Sequence, residues 1–166
     1  MTDLIIAGAG CAGLTAAVYA VRAGLSVIVF EKLSYGGQIA ITSEIENYPS
    51  FQKISGPELA QKIYDQAVAN GVEIRFEEVL AASLEGESKK VTTPSGEYPC
   101  RAFLLANGVK RRTLGCPGEE EFTGRGVSYC ATCDGAFFRG KHVVVVGGGN
   151  TALEDVLFLA NLCERV

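Results

Sequence analysis

Cys130 and Cys133 stand with two residues between them in Cys130-Ala131-Thr132-Cys133-Asp134. This spacing lets two sulfurs close a small disulfide ring that a thiolate can open and re-form. A helix N-terminus following the pair would stabilise one thiolate and lower its pKa. Asp134, next to the pair, is the candidate to carry a proton to or from the departing thiolate. Half of a zinc site and a pair of inert cysteines are the competing readings. No second ligand pair stands at suitable spacing, and His142 is alone at the start of a strand-like run, so no metal site is expected. The other four cysteines, Cys11, Cys100, Cys116 and Cys163, read as small buried hydrophobes.

Two glycine clusters suggest phosphate chemistry. In Gly8-x-Gly10-x-x-Gly13 the first glycine permits a tight turn, the second lets a pyrophosphate approach the backbone, and the third lets helix and strand pack closely. The helix that follows presents unpaired N–H groups and a partial positive charge. Glu31, about 20 residues on, ends the next strand, where a carboxylate accepts hydrogen bonds from a ribose diol. Gly147-x-Gly149-x-x-Ala152 repeats the setting and should face a second pyrophosphate. The residue that would discriminate NAD from NADP there is expected beyond Val166.

These groups need a scaffold. Residues 4–7 are a short apolar strand, residues 14–23 have helical composition closed by Gly24, and residues 26–30 form the next strand, together a βαβ unit. Residues 34–49 lose periodicity and read as an irregular loop with a role other than packing. A helix opens at Gly56-Pro57 and runs to about residue 70. Residues 72–76 and 79–84 read as strands, and the Pro94-Ser95-Gly96 turn as a hairpin. Residues 103–106 form a buried strand. Residues 110–116 suit an interdomain connection. Beyond them a strand over 142–146 and a helix to about 162 restart the pattern, which needs a further strand after that helix. The chain therefore reads as a fragment or truncated product.

Composition narrows the partners. A net charge of −4 argues against nucleic-acid binding, because such a surface repels phosphates. No apolar run approaches the roughly 20 residues needed to cross a bilayer, and Met1-Thr2-Asp3 runs into the first strand without the charged and apolar regions of a signal peptide. A cytoplasmic address is expected, with no membrane partner.

Two nucleotide fingerprints and one redox pair together imply an electron path, from reduced nicotinamide to a flavin to a disulfide. The sequence resembles the bacterial-type, low-molecular-weight thioredoxin reductase family over essentially all 166 residues. The resemblance rests on Gly8-Ala9-Gly10, Gly36-Gly37-Gln38-Ile39, Glu44-Ile45-Glu46-Asn47-Tyr48-Pro49, Gly115-Cys116-Pro117-Gly118-Glu119, Cys130-Ala131-Thr132-Cys133-Asp134 and Gly147-Gly148-Gly149-Asn150-Thr151-Ala152. Two positions depart from the family pattern: Cys11, where proline is common, and Asn107-Gly108, where Thr-Gly is usual.

The resemblance implies an α/β fold. A Rossmann-like, three-layer FAD-binding domain with a β-rich insertion (residues 1–109) is followed by a hinge (110–116). An incomplete second Rossmann-like NAD(P)-binding domain carries the CxxC pair (117–166). It also implies that Gly8, Gly10, Ala12, Gly13 and Glu31 contact the adenosine-diphosphate half of FAD, that Gly37, Gln38 and Asn47 lie near the ribitol and flavin ring, and that Val79 supplies backbone contacts near the adenine. Gly147, Gly149, Asn150, Thr151 and Ala152 would serve NADPH. Cys133 would face the flavin, Cys130 would exchange with thioredoxin, and Asp134 would be the acid-base group. The intact family forms a homodimer whose domains rotate so that flavin meets disulfide and nicotinamide in turn. The implied activity is thioredoxin-disulfide reduction, with the 166-residue chain weakly active or inactive alone. The alternatives are a non-catalytic FAD- or nucleotide-binding fragment, or a related flavin disulfide reductase with another electron donor.

Overall fold

The apolar runs at the start of the chain become neighbouring parallel strands, β1 (Thr2–Ala7) and β2 (Val27–Phe30), joined by helix α1 (Cys11–Arg22). The computed structural model describes residues 1–85 and 89–166 and divides into two compact units, Met1–Lys110 and Arg111–Val166.

In the first unit, α2 (Gly56–Ala69) leads to β3 (Glu73–Arg75), which pairs in parallel with β2. Ser55 caps α2 by accepting from Glu58 N, and Pro57 sits in its first turn. Three further strands complete the sheet, β4 (Ala81–Ser83), β5 (Lys89–Thr93) and β6 (Gly96–Leu105), in the order β3-β2-β1-β6-β5-β4.

The sequence suggests a hairpin arm near Tyr98 and a separate strand over 103–106. They are one continuous strand, β6. Its first half pairs antiparallel with β5, and from Cys100 its second half pairs in parallel with β1. A single strand can serve two partners because each of its edges carries its own ladder of N–H and C=O groups. Within the run expected over 79–84, Ala81–Ser83 pair with β5 and Leu80 N donates to the Thr92 carbonyl.

Adjacent residues of β1 point to opposite faces of the sheet. Ile6 joins Leu14, Val18, Val29, Ala67 and Val72 in the core on the α1–α2 side. Ile5 joins Ile28, Phe30, Val91 and Cys100 on the other, where Phe30 meets Tyr98 at 5.0 Å between ring centroids. The β-rich segment thus gives the sheet a second covering layer. β2 is buried along its whole length, as a strand covered on both faces must be. At the outer end of β1, Asp3 accepts from Ser26 and pairs with Arg101, tying three segments together.

The second unit contains α3 (Glu119–Phe122), α4 (Ala131–Asp134), a 3₁₀ turn at Gly135–Phe138 and α5 (Asn150–Leu159). The strand expected over 142–146 does not form. Its described pairing is a bridge between His142 and Arg165, with Val143 N donating to the Arg165 carbonyl. Val144 and Val146 are exposed. An apolar run becomes a parallel strand only where a neighbouring strand supplies a ladder along its length.

Candidate functional site

The loop from β1 to α1 is shaped by two glycines and left open at a third. Gly8 has φ of +108°, and a Cβ there would overlap the Ala106 carbonyl. A Cβ on Gly13 would overlap the Gly8 carbonyl oxygen. Gly10 is different: nothing lies within 4 Å of where its Cβ would be. Packing therefore demands glycine at the first and third positions, whereas the space beside the second suits a ligand that needs close backbone approach. Gly10 is the extended N-cap of α1, whose first turn has neither a side-chain cap nor an acidic residue. That leaves its N–H groups for an anion.

Glu31 closes the other side. One carboxylate oxygen accepts from Ala9 N at 2.8 Å and the other from Leu33 N at 3.1 Å. Each oxygen keeps further lone-pair capacity for a diol. Gly8, Glu31, Lys32, Glu78, Val79 and Asn107 are among the residues lining a cleft of about 300 Å³, within which Lys32 and Glu78 pair at 2.7 Å. Buried Thr93 donates to Glu77, another lining residue, at 2.6 Å.

The irregular segment after β2 is held in place by small residues and one aromatic stack. Gly36 N donates to the Ala9 carbonyl at 2.8 Å, and a Cβ on Gly37 would lie 3.6 Å from the Gly10 Cα. A 3₁₀ turn, Gly37–Ile41, holds Gln38, whose carbonyl accepts from the Thr42 hydroxyl. Tyr35 stacks on Tyr64 of α2 at 4.1 Å and donates to Gln61. The loop thereby sets Gly37 against the glycine turn. Asn47 is exposed in the turn closed by the Ile45–Ile54 bridge and is not among the cleft residues. Ala12 lies in the first turn of α1.

In the second unit the same pattern recurs with Gly147 (φ +147°) packed toward Ala152 and open space beside Gly149. Gly149 is the extended N-cap of α5, which begins Asn150-Thr151-Ala152 with no side-chain cap and no acidic residue in its first turn.

Cys130 and Cys133 form a disulfide with their Cα atoms 5.3 Å apart. Cys130 caps the four-residue α4: its Sγ accepts from Cys133 N at 3.2 Å and lies 3.5 Å from the Thr132 hydroxyl. Asp134 accepts from the Ser128 hydroxyl at 2.5 Å, and that same hydroxyl accepts from Cys130 N at 3.1 Å. The disulfide, its neighbouring carboxylate and the loop before it form one hydrogen-bonded group. Among the described residues no group of three or more His, Cys, Asp or Glu converges on a metal position.

The expectation of four buried cysteines is corrected at two positions. Cys100 is buried and Cys163 half-buried, donating to the Phe138 carbonyl. Cys11 and Cys116 are exposed. Cys11 is the first residue of α1, at the open end of the helix before the buried Gly13 and Leu14, and Cys116 lies in the segment before α3.

In the sequence Glu119 stands only as the last residue of the Gly115-Cys116-Pro117-Gly118-Glu119 motif, with no role attached to it. Buried at the start of α3, it accepts from the Tyr129 hydroxyl at 2.6 Å, Leu114 N at 2.8 Å and Gly115 N at 2.6 Å. Arg111 lies over the Tyr129 ring at 5.2 Å. The only hint was an acid behind a Pro-Gly turn; its partners are up to ten residues away. The Tyr129 hydroxyl, and then the Leu114 N–H, hold its carboxyl below the ordinary value, against the opposing effect of burial. A depressed carboxylate stabilises the fold above its unfolded pKa of about 4.3. That contribution fades as pH falls through the lower folded value. Thermal melting followed from pH 6 toward acid should therefore fall more steeply for the wild type than for Glu119→Gln. Parallel curves would count against the assignment.

The family model described as pyridine nucleotide-disulphide oxidoreductase matches residues 2–166. A thioredoxin reductase of Treponema pallidum (strain Nichols) is 50% identical over 165 residues, 99% of this chain and 54% of that protein. A bifunctional thioredoxin reductase/thioredoxin of Mycobacterium leprae (strain TN) is 49% identical over 166 residues, 99% of this chain and 36% of that one. Among solved structures, the thioredoxin reductase of Streptococcus pyogenes MGAS5005 superposes with a TM-score of 0.94 at 46% identity, over 100% of this chain and 54% of that one. The chain spans about half the length of such thioredoxin reductases, including those of Bacillus subtilis (strain 168) and Mycolicibacterium smegmatis. No described helix is long and apolar enough to cross a membrane.

Proposed function

Because the chain belongs to the pyridine nucleotide-disulphide oxidoreductase family, we propose that it is the flavin- and disulfide-bearing part of a thioredoxin-disulfide reductase. In the intact enzyme, electrons pass from NADPH to FAD, to Cys130–Cys133 and on to thioredoxin. The observation that carries this reading is the Cys130–Cys133 disulfide hydrogen-bonded into one group with Asp134.

The first unit's residues fit FAD. Open space beside Gly10 and the uncapped start of α1 suit its pyrophosphate, with Gly8, Ala12 and Gly13 shaping the turn. Glu31 suits the ribose diol, and Val79 the adenine end of the cleft. Gly37, Gln38 and Asn47 are assigned to the ribitol and flavin end. Gly147, Gly149, Asn150, Thr151 and Ala152 are assigned to the phosphates of NADPH. Bound FAD supplies the two-electron chemistry, accepting a hydride equivalent and passing the electron pair to a disulfide.

The chain's own residues carry the rest. Two electrons and two protons convert Cys130–Cys133 to two thiols. The Cys130 thiolate attacks a substrate disulfide sulfur, forming a mixed disulfide and expelling one substrate thiolate. Cys133 then attacks Cys130 Sγ, re-forming the internal disulfide and expelling the second. The two protons that the cysteine thiols give up end on the two departing substrate thiolates, one of them delivered by Asp134. Substrate disulfide is reduced and the cysteine pair oxidised, in balance.

Two measurements test this. The purified chain should bind FAD, read from the flavin absorbance bands. A pre-reduced Cys133→Ser chain should trap oxidised thioredoxin as a mixed disulfide through Cys130. NADPH-driven turnover by the 166-residue chain alone is expected to be weak or absent. A colourless chain that forms no adduct would leave a nucleotide-binding fragment without redox function.

A further inference from the structure

We propose that Ser128 is a positioning residue for disulfide exchange, holding Asp134 against the backbone of Cys130 so that its carboxyl meets the departing thiolate. The inference rests on the redox reading above. Its basis is one hydroxyl with two directed contacts. Ser128 Oγ donates to Asp134 Oδ2 at 2.5 Å and accepts from Cys130 N at 3.1 Å. A hydroxyl has one proton and two acceptor lone pairs, so both contacts are made together. The same oxygen is 3.4 Å from the Cys130 carbonyl, a longer contact that competes poorly for the single proton.

Position matters because Asp134 ends a helix of four residues, and its described side-chain hydrogen bond is the one to Ser128. Without that partner a half-buried carboxylate on a rotatable bond samples other rotamers. Ser128 also restrains the N–H of Cys130, so carboxylate and sulfur are referred to the same point of the loop. The proton in question moves from the Asp134 carboxyl to a substrate thiolate as that thiolate leaves a disulfide, giving a thiol and a carboxylate. Ser128 itself neither gains nor loses a proton.

The chemistry of the leaving group provides the test. An alkyl thiolate is a poor leaving group and benefits from protonation, whereas an aromatic thiolate of low pKa leaves unaided. Pre-reduced full chain is mixed with oxidised glutathione or with an aromatic bis(nitrobenzoate) disulfide, and single-turnover exchange is timed for wild type, Ser128→Ala, Ser128→Thr, Asp134→Asn and the double variant.

Ser128→Ala should slow exchange with oxidised glutathione about tenfold, a part of the roughly 10²-fold or more that a positioned general acid contributes. With the aromatic disulfide the deficit should shrink below about twofold. Ser128→Thr, which keeps the hydroxyl, should recover most of the rate. In an Asp134→Asn background, Ser128→Ala should add nothing further. Equal slowing with both disulfides, or an additive loss in the double variant, would overturn the proposal while leaving the redox pair intact. No exchange by the wild-type dithiol would instead overturn the redox reading beneath it.

Discussion

Replacing Cys130 with serine should abolish thiol–disulfide exchange with thioredoxin, a loss of at least about 10³-fold, because the reaction then has no attacking sulfur. Replacing Cys133 should abolish turnover too, with a different signature: one substrate thiol released, then a stable mixed disulfide. The assignment rests on hydrogen bonding. Cys130 Sγ accepts from Cys133 N and lies near the Thr132 hydroxyl, so the thiolate formed when the disulfide opens already has donors beside it. Exposure points the other way, since Cys133 is exposed and Cys130 half-buried. Thiolate stabilisation decides, because the thiolate is the species that attacks. Mass spectrometry of the trapped adducts separates the two. An adduct on Cys133 in the Cys130→Ser chain, with none on Cys130 in the Cys133→Ser chain, would reverse the roles.

Gly10→Val and Gly13→Ala should both remove flavin binding, by different routes. Gly10 is in ordinary extended backbone, with φ −76° and ψ 179°, and its absent side chain would meet nothing within 4 Å. Valine there should leave the melting temperature within a few degrees of wild type. It would fill the space a pyrophosphate needs and weaken FAD about a hundredfold, roughly 2.7 kcal/mol. Gly13→Ala drives a methyl into the Gly8 carbonyl and against Ala106, so α1 must lift from the β1 and β6 ends. Such overpacking costs about 1–3 kcal/mol or more. Melting and FAD titration should move together for Gly13→Ala and separately for Gly10→Val. If Gly10→Val retained full flavin affinity, the pyrophosphate would have to lie elsewhere.

The glycine turns were legible because their constraint is local. Two or three glycines at fixed spacing before a helix specify a turn within a dozen residues, and both clusters set an extended glycine at the helix N-cap, the first behind β1 and the second without a strand before it. The irregular nature of residues 34–49 was legible in the same way, from failed periodicity and punctuating glycines. Its attachment was not, because the Tyr35–Tyr64 stack and the Gly36–Ala9 hydrogen bond join positions 27 or more apart.

The continuity of β6 shows a related limit. Pro99 and the polar stretch before Phe103 interrupt the apolar pattern, yet the strand runs through them because its first half pairs with β5 and its second with β1. Conversely, the apolar 142–146 run is rich in valine and still lacks a ladder, because ladder hydrogen bonds depend on partners and not on composition.

The Cys130-Ala131-Thr132-Cys133-Asp134 motif was thus readable by itself as a redox pair with an adjacent acid, since spacing alone brings two sulfurs within bonding reach. Tertiary structure decided what surrounds it: Ser128 turned onto Asp134, Cys133 N directed at Cys130 Sγ, and Glu119 drawing Leu114, Gly115 and Tyr129 together. These contacts depend on how the chain turns back on itself, and hydrogen bonds are specified by direction and distance in space, which residue type and spacing do not encode.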